Sequence, residues 1–430
     1  MTWPNQHKLQ NGKLIIETTL GQGGFGITYK AWHAGLNAYV VIKTPNEFLK
    51  HDPEYHKYVK RFQNEAQILG KLFSEPNLHI VRFYDFFTEA DNYCLVMEYV
   101  EGESLDQLIK RRGKLPEAGA VRYFQQIGNA LTVVHKMGLV HRDAHPGNIM
   151  LHRNNDAVLI DFGISGEIVP KSISTPLGNK QFAPYEQIRK GNRAPTVDIY
   201  ALSGSLYYAV TGKLPANCFD RKLDEAELIP PQEIVAVSSA VNNAIMQGME
   251  MKPENRPQSM QEWLDLLGDD LSSQVGVDYT RLRDLLAAGE WKEADEETAK
   301  VMLKASNQEE RGWLEVEDID NFPCTDLRTI DQLWIKYSKE RFGFSVQKQI
   351  YQSLGGIRKY DREIWQAFDC RVGWRKEGDL LYYPDLTMNV TAPQGHLPVA
   401  GWIVGWGLGG ELRDWKGLGA WVSLLSRRDL

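Results

Sequence analysis

Three polar residues close together in the sequence have the types and spacing that phosphoryl transfer needs. Asp143 and Asn148 lie five residues apart in the stretch His141-Arg142-Asp143-Ala144-His145-Pro146-Gly147-Asn148, and Asp161 opens the triplet Asp161-Phe162-Gly163. Such a reaction needs a carboxylate near the attacking hydroxyl and oxygen ligands for magnesium. These residues supply both.

A glycine-rich run near the N-terminus, Gly21-Gln22-Gly23-Gly24-Phe25-Gly26, has the spacing of loops that cover phosphates. Glycines let backbone N–H groups approach phosphate oxygens. A Rossmann turn has a similar run, but a helix follows it. Here the next residues, Ile27-Thr28-Tyr29-Lys30-Ala31, favour a second strand. The pattern therefore favours a glycine-rich hairpin over a nucleotide.

A lysine and a glutamate fit the same chemistry. Lys43 ends the apolar run Val40-Val41-Ile42-Lys43, and Glu65 follows in a stretch with helical spacing, predicted over residues 58–72. A lysine held by a helix glutamate can grip the α- and β-phosphates. Each residue alone is more often surface charge, but all the other motifs are present in order, which favours the functional interpretation.

Taken together, residues 14–267 resemble the eukaryotic-type Ser/Thr protein kinase family, as found in bacteria. The resemblance implies a bilobal α+β kinase fold, the cofactors ATP and Mg²⁺, and protein substrates. It makes Asp143 the residue that positions the substrate hydroxyl and accepts its proton, and Asn148 and Asp161 the metal ligands. The implied catalytic residues are Asp143, Lys43, Glu65 and His145. The implied ATP-binding residues are Gly21, Gln22, Gly23, Gly24, Gly26, Thr28, Val41, Lys43, Met97, Glu98, Val100 and Met150.

The resemblance also assigns structural roles. Met97 resembles the gatekeeper, and the backbone of Glu98 and Val100 resembles the hinge that binds adenine. Asp198 resembles the buried helix aspartate that braces the catalytic loop. The pair Glu186 and Arg256 resembles the ion pair of the larger lobe.

Three positions depart from the family pattern. His145 stands where a lysine usually contacts the γ-phosphate, Asn179 where a threonine usually contacts that lysine, and Val41 where an alanine lines the adenine pocket. A neutral imidazole donates one hydrogen bond and carries no charge. We expect His145 and Asn179 to be a matched replacement, with transfer that is slow or that rises as the pH falls.

Two alternatives remain open at this stage. The catalytic loop also resembles that of small-molecule kinases of the aminoglycoside-phosphotransferase type, whereas the glycine-rich loop and Ala183-Pro184-Tyr185-Glu186 favour a protein kinase. The second alternative is a porphyrin-binding or interaction protein whose kinase part is a weak or inactive scaffold.

Autophosphorylation is expected on at least one of Ser172, Ser174 and Thr175, because Arg142 precedes Asp143 and can bind a phosphate.

The C-terminal part has its own signature. Residues 278–398 resemble the genomes-uncoupled-four family, the porphyrin-binding cofactor of magnesium chelatase. Tyr279-Thr280-Arg281-Leu282-Arg283-Asp284-Leu285-Leu286, Arg341-Phe342-Gly343-Phe344-Ser345-Val346-Gln347 and Ala392-Pro393-Gln394-Gly395-His396-Leu397-Pro398 carry the match. The resemblance implies an all-α domain with a groove for protoporphyrin IX or Mg-protoporphyrin, magnesium-chelatase subunits as partners, and a phototrophic source.

A porphyrin is a large apolar disc with two carboxylates, so its site needs aromatic walls and basic groups at the rim. Most single aromatic residues belong to a core. The residues predicted to contact a tetrapyrrole are Arg341, Phe342, Phe344, Trp374 and Trp402, with Arg371 and Arg375 as further cations for the carboxylates.

Composition and length set the frame for these sites. A chain of 430 residues is too long for a single hydrophobic core, so two domains are predicted. They comprise residues 1–267 and 278–430 and are joined by a linker over residues 268–277. The net charge of −7 argues against a general nucleic-acid binder. The longest uncharged stretch, 397–410, is too short to span a bilayer. Four widely spaced cysteines predict reduced thiols in a cytoplasmic protein.

Overall fold

The computed structural model of the chain describes residues 3–22, 26–45, 55–72, 77–89, 92–153, 156–163, 166–167, 179–190, 194–269, 271, 273–399, 415–427 and 430. The chain divides into two compact units, residues 1–268 and residues 269–430. No described helix is both long and apolar enough to cross a lipid bilayer.

The first unit begins with an antiparallel sheet and a helix. The elements are β1 (Lys8–Leu9), β2 (Leu14–Gln22), β3 (Gly26–His33), β4 (Ala38–Pro45), α1 (Tyr55–Leu72), β5 (Phe83–Glu89) and β6 (Asn92–Glu98). The strands pair in the order β1-β2-β3-β4-β6-β5. Burial alternates residue by residue along β3, as expected for a strand whose two faces have different environments.

The glycine-rich run predicted as a hairpin does connect two paired strands. Gly21 and Gln22 end β2 and pair with Thr28 and Ile27 of β3. Gly23, Gly24 and Phe25 lie outside the described residues. This finding confirms that a strand, rather than a helix, follows the glycines.

The rest of the first unit is mainly helical. Its helices are α2 (Leu105–Arg112), α3 (Glu117–Lys136), α4 (Tyr185–Lys190), α5 (Pro195–Thr211), α6 (Cys218–Leu223), α7 (Ser239–Gly248) and α8 (Met260–Leu267). Short strands are β7 (Gly102–Ser104), β8 (Leu139–Val140), β9 (Ile149–His152), β10 (Ala157–Leu159) and β11 (Gly166–Glu167). β9 pairs with both β7 and β10, and β8 pairs with β11.

Helix α5 lies at the centre of this lobe. All its residues from Thr196 to Thr211 are buried, so it is packed on every side. Pro195 occupies the first turn, where no N–H donor is missed, and Gly212 ends the helix with a φ of 70°. A helix fixed in this way is a rigid support for Asp198, which it carries.

In the part of the second unit that the structure describes, helices are the main elements, with one small hairpin. Its helices are α9 (Thr280–Ala288), α10 (Trp291–Ala305), α11 (Val316–Asp320), α12 (Cys324–Tyr337), α13 (Phe344–Ser353), α14 (Arg362–Val372) and α15 (Trp415–Leu425). The hairpin pairs β12 (Arg375–Lys376) with β13 (Asp379–Leu380). Gly289 ends α9 in the left-handed conformation, as its position predicts.

The segment 268–277, which the sequence predicts to be a linker, contributes contacts to the second unit. Val277 is buried in the core of the second unit. The backbone N–H of Gln274 donates to Asp326 Oδ2 at 2.8 Å, and Tyr279 donates to Asp326 Oδ1 at 2.8 Å. Because these contacts are internal to the second unit, most of the segment belongs to that unit.

Candidate active site

An ion cluster centred on Lys43 joins three elements of the first unit. Lys43 lies on β4, and its Nζ is 2.9 Å from Glu65 Oε1 and 3.0 Å from Oε2. The same Nζ lies 2.8 Å from Asp161 Oδ1. Helix α1 buries Glu65 to 2% exposure and so directs its carboxylate inward. The structure therefore brings together the predicted lysine, its helix glutamate and the first residue of Asp161-Phe162-Gly163.

This cluster contains one cation and two carboxyl groups, so the three groups alter one another's pKa values. Burial raises the pKa of Glu65 to about 7, although Lys43 opposes the shift. Burial alone would lower the pKa of Lys43, but Glu65 and Asp161 together raise it above its usual value. Burial opposes ionisation of Asp161 too, yet Lys43 holds the pKa of this carboxyl below its usual range. The lysine is therefore charged.

Gly163 keeps this cluster open. A Cβ at this position would lie 3.0 Å from Asp161 Oδ1 and 3.4 Å from Glu65 Oε2. Phe162, the residue between Asp161 and Gly163, is buried, and its ring meets that of His141 edge-on at 4.6 Å. The triplet therefore combines an anchored aromatic ring with a partly exposed carboxylate and a residue small enough to leave space beside it.

The catalytic loop is held by a buried carboxylate on α5. Asp198 Oδ2 accepts from the backbone N–H of His141 at 2.9 Å, and Oδ1 accepts from the N–H of Arg142 at 2.6 Å. Arg142 has a φ of 70°, an uncommon conformation for a residue with a side chain, so the loop needs such support. Burial opposes ionisation of Asp198, but its hydrogen bonds with His135 and His141 hold its pKa below the usual value.

Asp143 and Asn148 are joined directly. Asn148 Nδ2 donates to the side-chain Oδ2 and to the backbone oxygen of Asp143, each at 3.0 Å. The backbone N–H of Ile160, next to Asp161, donates to the Asn148 backbone oxygen at 2.9 Å. The loop that carries Asp143 and Asn148 is thus tied by a backbone hydrogen bond to the segment that leads to Asp161.

His145 is oriented by its own loop. The backbone N–H of Gly147 donates to His145 Nδ1 at 3.0 Å, so the neutral ring carries its proton on Nε2. That atom faces Asp143 Oδ2 at 3.7 Å, which is longer than a hydrogen bond. A Cβ on Gly147 would lie 2.8 Å from the imidazole, so glycine provides the room for this ring.

Asn179 and His145 bond different groups, contrary to the expected direct contact of a matched pair. Asn179 Oδ1 accepts from the backbone N–H of Gln181 at 3.0 Å. Phe182 connects the two positions, because its ring stacks on His145 at 6.1 Å and its N–H donates to the Asn179 backbone oxygen at 3.1 Å. Among the described residues, Phe182 thus contacts both unusual positions.

The residues predicted around adenine lie on neighbouring strands. Val41 of β4 pairs with Met97 of β6 and is partly buried, and Val40 pairs with Glu98. Thr28 of β3 is the cross-strand partner of Lys43, so their side chains share one face. Val100 is buried after the end of β6, and Met150 is half-buried on β9.

The large lobe contains the predicted ion pair. Arg256 donates to Glu186 Oε1 at 2.7 Å and to Oε2 at 3.3 Å. It also donates to the backbone oxygens of Glu250, Thr196 and Met251. Both partners are buried, so this bidentate pair fixes the start of α4 against the end of the lobe.

The donor atoms at this site suit magnesium. Asn148 uses its amide nitrogen on Asp143, which leaves its carbonyl oxygen for a cation, and Asp161 has a second carboxylate oxygen besides the one on Lys43. Magnesium prefers oxygen ligands and retains water or phosphate oxygens in its shell. Across the described ranges, no group of three or more His, Cys, Asp or Glu side chains forms a ready-made metal cage. Phosphate oxygens would complete the coordination.

Two residues that support the catalytic loop are not predicted from the sequence. His135 Nε2 lies 2.8 Å from Asp198 Oδ2, so this histidine at the end of α3 helps to hold the loop aspartate. Gln187 Nε2 donates to the Arg142 oxygen at 2.7 Å. Helical spacing places His135 near a buried stripe, but only the three-dimensional structure reveals its partner.

The predicted tetrapyrrole residues are placed differently from the expectation. Phe342 and Phe344 are fully buried, and Trp374 is 7% exposed. Phe342 packs against Trp291 and Trp334, while Phe344 and Trp374 pack against Trp421. Rings with so little exposed surface hold the domain together and do not line an open groove.

The predicted cations of this unit also make internal contacts. Arg341 donates to the Ala392 oxygen from Nε at 3.0 Å and from a terminal nitrogen at 2.7 Å. Arg375 lies 3.6 Å from the buried Asp369, and Arg371 is exposed. Trp402 lies outside the described residues. The described residues therefore do not assemble the predicted walls and rim into one site.

Comparison with known families agrees with this division of the chain. The protein kinase domain family matches residues 14–273, and the GUN4-like family matches residues 272–411. The two matches overlap at residues 272–273, close to the division between the two compact units after residue 268.

Curated relatives match the kinase part. A probable serine/threonine-protein kinase of Clostridium acetobutylicum is 34% identical over 281 residues, which cover 63% of this chain and 42% of the relative. A probable serine/threonine-protein kinase of Clostridium perfringens is 33% identical over 61% of this chain and 38% of its own length. The serine/threonine-protein kinase PknH of Mycobacterium bovis is 32% identical over 57% of this chain and 42% of its own length.

The chain thus spans about two fifths of the length of these relatives, by the coverage of 38% to 42%. The kinase match covers more than half of the chain and agrees with the ion cluster, the braced loop and the buried Glu186–Arg256 pair. This chain belongs to the protein kinase family, and a GUN4-like domain follows its kinase domain.

Proposed function

We propose that this chain is a serine/threonine protein kinase that transfers the γ-phosphate of ATP to protein hydroxyl groups with the help of magnesium. The arrangement of Lys43 supports the proposal most strongly, because its ammonium contacts Glu65 and Asp161 together. A nucleotide phosphate placed beside this lysine would lie next to the predicted metal ligand. Positioning and charge neutralisation are the main requirements for phosphoryl transfer.

Each residue of the site has a separate task in this proposal. Lys43 binds phosphate oxygens, and Glu65 keeps the lysine in place. Asp143 orients the substrate hydroxyl and accepts its proton, while the hydrogen bond from Asn148 fixes the carboxylate. Asn148 and Asp161 would hold Mg²⁺, which neutralises phosphate charge when it is bound. The backbone of Glu98 and Val100 binds the adenine edge.

His145 leads us to expect a slow rate of phosphoryl transfer. A lysine at this position would place a full positive charge between Asp143 and the transferred phosphate, whereas the neutral imidazole offers a single N–H. The orientation of Nε2 toward Asp143 supports a hydrogen-bonding role during transfer. We therefore propose an active kinase with slow transfer. A weak or inactive kinase scaffold is the second candidate, and His145 is the observation that favours it.

We further propose that the GUN4-like domain binds a tetrapyrrole, namely protoporphyrin IX or Mg-protoporphyrin, and that its occupancy changes kinase activity. Magnesium-chelatase subunits are candidate partners, and the cytoplasm is the proposed location. The family match over residues 272–411 supports ligand binding. Because Phe342, Phe344 and Trp374 pack in the core, the ligand would contact other residues of the domain. Regulation requires that the ligand bind two kinase states with different affinity.

Two experiments test these proposals separately. Incubation with radiolabelled ATP, magnesium and a generic protein substrate should yield phosphoserine or phosphothreonine. Label on an aminoglycoside but not on protein would instead indicate a small-molecule kinase. Titration with protoporphyrin IX should shift the visible absorbance spectrum of the porphyrin, and an unchanged spectrum at saturating protein would contradict tetrapyrrole binding.

A further inference from the structure

A lysine on the same sheet as Lys43 is enclosed by an acid and two aromatic rings. Lys30 Nζ lies 2.8 Å from Glu17 Oε2 and 3.7 Å above the ring centroid of Tyr39. It also lies 5.1 Å from the ring centroid of Tyr99. We call these four residues, Glu17, Lys30, Tyr39 and Tyr99, the Lys30 cage. Both ring distances fall within the range of cation–π attraction.

The cage is closed by contacts among its other members. Tyr39 donates its hydroxyl to Glu17 Oε1 at 2.9 Å. The rings of Tyr39 and Tyr99 meet edge-on at 6.2 Å, a favourable geometry for two aromatic groups. The hydrogen bond to Glu17 raises the pKa of Lys30, so the lysine is charged over the usual pH range. Each member of the cage therefore contacts at least two others.

The position of the cage relates it to the adenine site. Lys30 and Val41 are cross-strand partners on β3 and β4, and Val41 is in turn the partner of Met97 on β6. Thr28, two residues before Lys30, shares its face of the sheet. Lys30 thus lies beside Val41 and Thr28, two of the residues predicted to surround adenine.

Tyr99 links the Lys30 cage to the proposed nucleotide-binding hinge. It is flanked by Glu98 and Val100, whose backbone groups are the proposed hinge contacts to adenine. The other cage members belong to β2, β3 and β4, the strands that carry the glycine-rich run and Lys43. One ammonium therefore connects the hinge with the sheet that covers the nucleotide.

An ordinary surface ion pair is the simpler interpretation, and such pairs contribute little to stability. Two observations argue against it here. The Lys30 side chain is only 21% exposed, and the charge is shared by two rings as well as by Glu17. A pair that served only for solubility would need neither ring.

We propose that Lys30 is a positioning residue for the adenine site, which holds Tyr99 and therefore the backbone of Glu98 and Val100 in register with strands β2 to β4. This inference rests on the proposed function, since it presupposes that the hinge binds ATP. In this proposal Lys30 acts through Tyr99 and not on the nucleotide itself, so its effect is expected on nucleotide affinity and on KM for ATP. The value of kcat at saturating ATP should stay nearly unchanged.

Binding of a fluorescent ATP analogue with magnesium tests the inference in the full-length protein. Lys30→Met keeps the length of the side chain but removes its charge, and it should weaken binding by about fivefold. Lys30→Arg retains a cation that can stack on the rings, and it should bind nearly as well as the wild type. Lys13→Met is a matched control in the same lobe, because Lys13 is exposed and pairs only loosely with Asp85 at 3.5 Å; it should leave binding unchanged.

A double-mutant cycle keeps the inference testable if a single variant also loses stability. Lys30→Met and Tyr99→Leu should each weaken binding, and the double variant should be no weaker than the worse single variant. Unchanged binding in Lys30→Met, or additive losses in the double variant, would overturn the inference while the kinase proposal stands. A wild-type protein that does not bind the nucleotide would overturn both.

Discussion

His145 Nε2 lies 3.7 Å from Asp143 Oδ2, and the Gly147 N–H on the other ring nitrogen fixes which side of the imidazole faces the carboxylate. The proposed catalytic base therefore has an imidazole beside it, at the position where the family pattern predicts a lysine. Gly147 and Phe182 shape the space for this ring. The loop thus accommodates the histidine ring, and the effect of His145 on catalysis can be measured.

Replacement of His145 by lysine should accelerate transfer. The introduced ammonium would bring a permanent positive charge to the carboxylate and to the developing phosphate charge, so we expect kcat to rise by about tenfold. Steady-state kinetics with saturating Mg-ATP and one protein substrate measure the change. His145→Gln, which keeps a neutral N–H donor, is the matched control and should remain within a few-fold of the wild type. A lysine variant no faster than the glutamine variant would show that charge at this position is unimportant.

Removal of the Lys43 charge should abolish most of the activity. In Lys43→Met, Glu65 and Asp161 lose their shared cation and face one another as carboxylates. We expect the transfer rate to fall by at least about 100-fold. Kinase assays at saturating ATP measure the loss, and Lys13→Met, at an exposed lysine of the same lobe, serves as the control. Retention of more than half of the wild-type rate would be inconsistent with the proposed phosphate-binding role.

The buried ion pair of the large lobe should contribute strongly to stability. Arg256→Met leaves Glu186 buried without its cation, and breaking such a pair costs about 3–5 kcal/mol. Urea denaturation followed by circular dichroism measures the free energy of unfolding. The exposed pair of Arg153 and Glu101 offers a comparison, since Arg153→Met should cost less than about 1 kcal/mol. Equal effects of the two substitutions would mean that burial does not matter here.

The second unit should show a pH-dependent stability that depends on Asp369. Burial raises the pKa of Asp369 to about 7 in the folded protein, against an ordinary value of 3.8, and Arg375 at 3.6 Å offsets only part of the shift. The folded state therefore binds more protons than the unfolded state between these values. The free energy of unfolding should fall as the pH rises from about 4 to 7.

Asp369→Asn removes this titration. Between pH 5 and pH 8, we expect the wild type to lose on the order of 2 kcal/mol more stability than the variant. Tryptophan fluorescence can follow unfolding of the second unit, because nine of the twelve tryptophans lie after residue 279. The exposed Asp379→Asn provides the control. Parallel pH profiles for the wild type and Asp369→Asn would contradict the proposed burial penalty.

The sequence predicts the kinase part well because its motifs combine residue type with fixed spacing. Lys43, Glu65 and Asp161 are far apart in the chain, yet each occupies a recognisable place, and the structure joins them. Helix α3 begins after Pro116 and helix α9 ends at Gly289, in line with the strong local conformational preferences of proline and glycine.

The rest depends on tertiary contacts that local patterns do not encode. An aromatic residue in the core has the same local signature as one in a ligand site, so the sequence alone does not predict the burial of Phe342 and Phe344. The indirect link between His145 and Asn179 through Phe182 is likewise invisible in the sequence.

The most direct test of the account compares the wild type with Asp143→Asn in the transfer of radiolabelled phosphate from Mg-ATP to a protein. The substitution keeps the shape of the side chain and removes the proposed proton acceptor, so nucleotide binding should persist while transfer falls by about 100-fold or more. Label on serine or threonine in the wild type, and its loss in the variant, is the predicted result. Equal labelling by both proteins, or none by the wild type at any ATP concentration, would contradict the central claim that Asp143 carries out phosphoryl transfer in this chain.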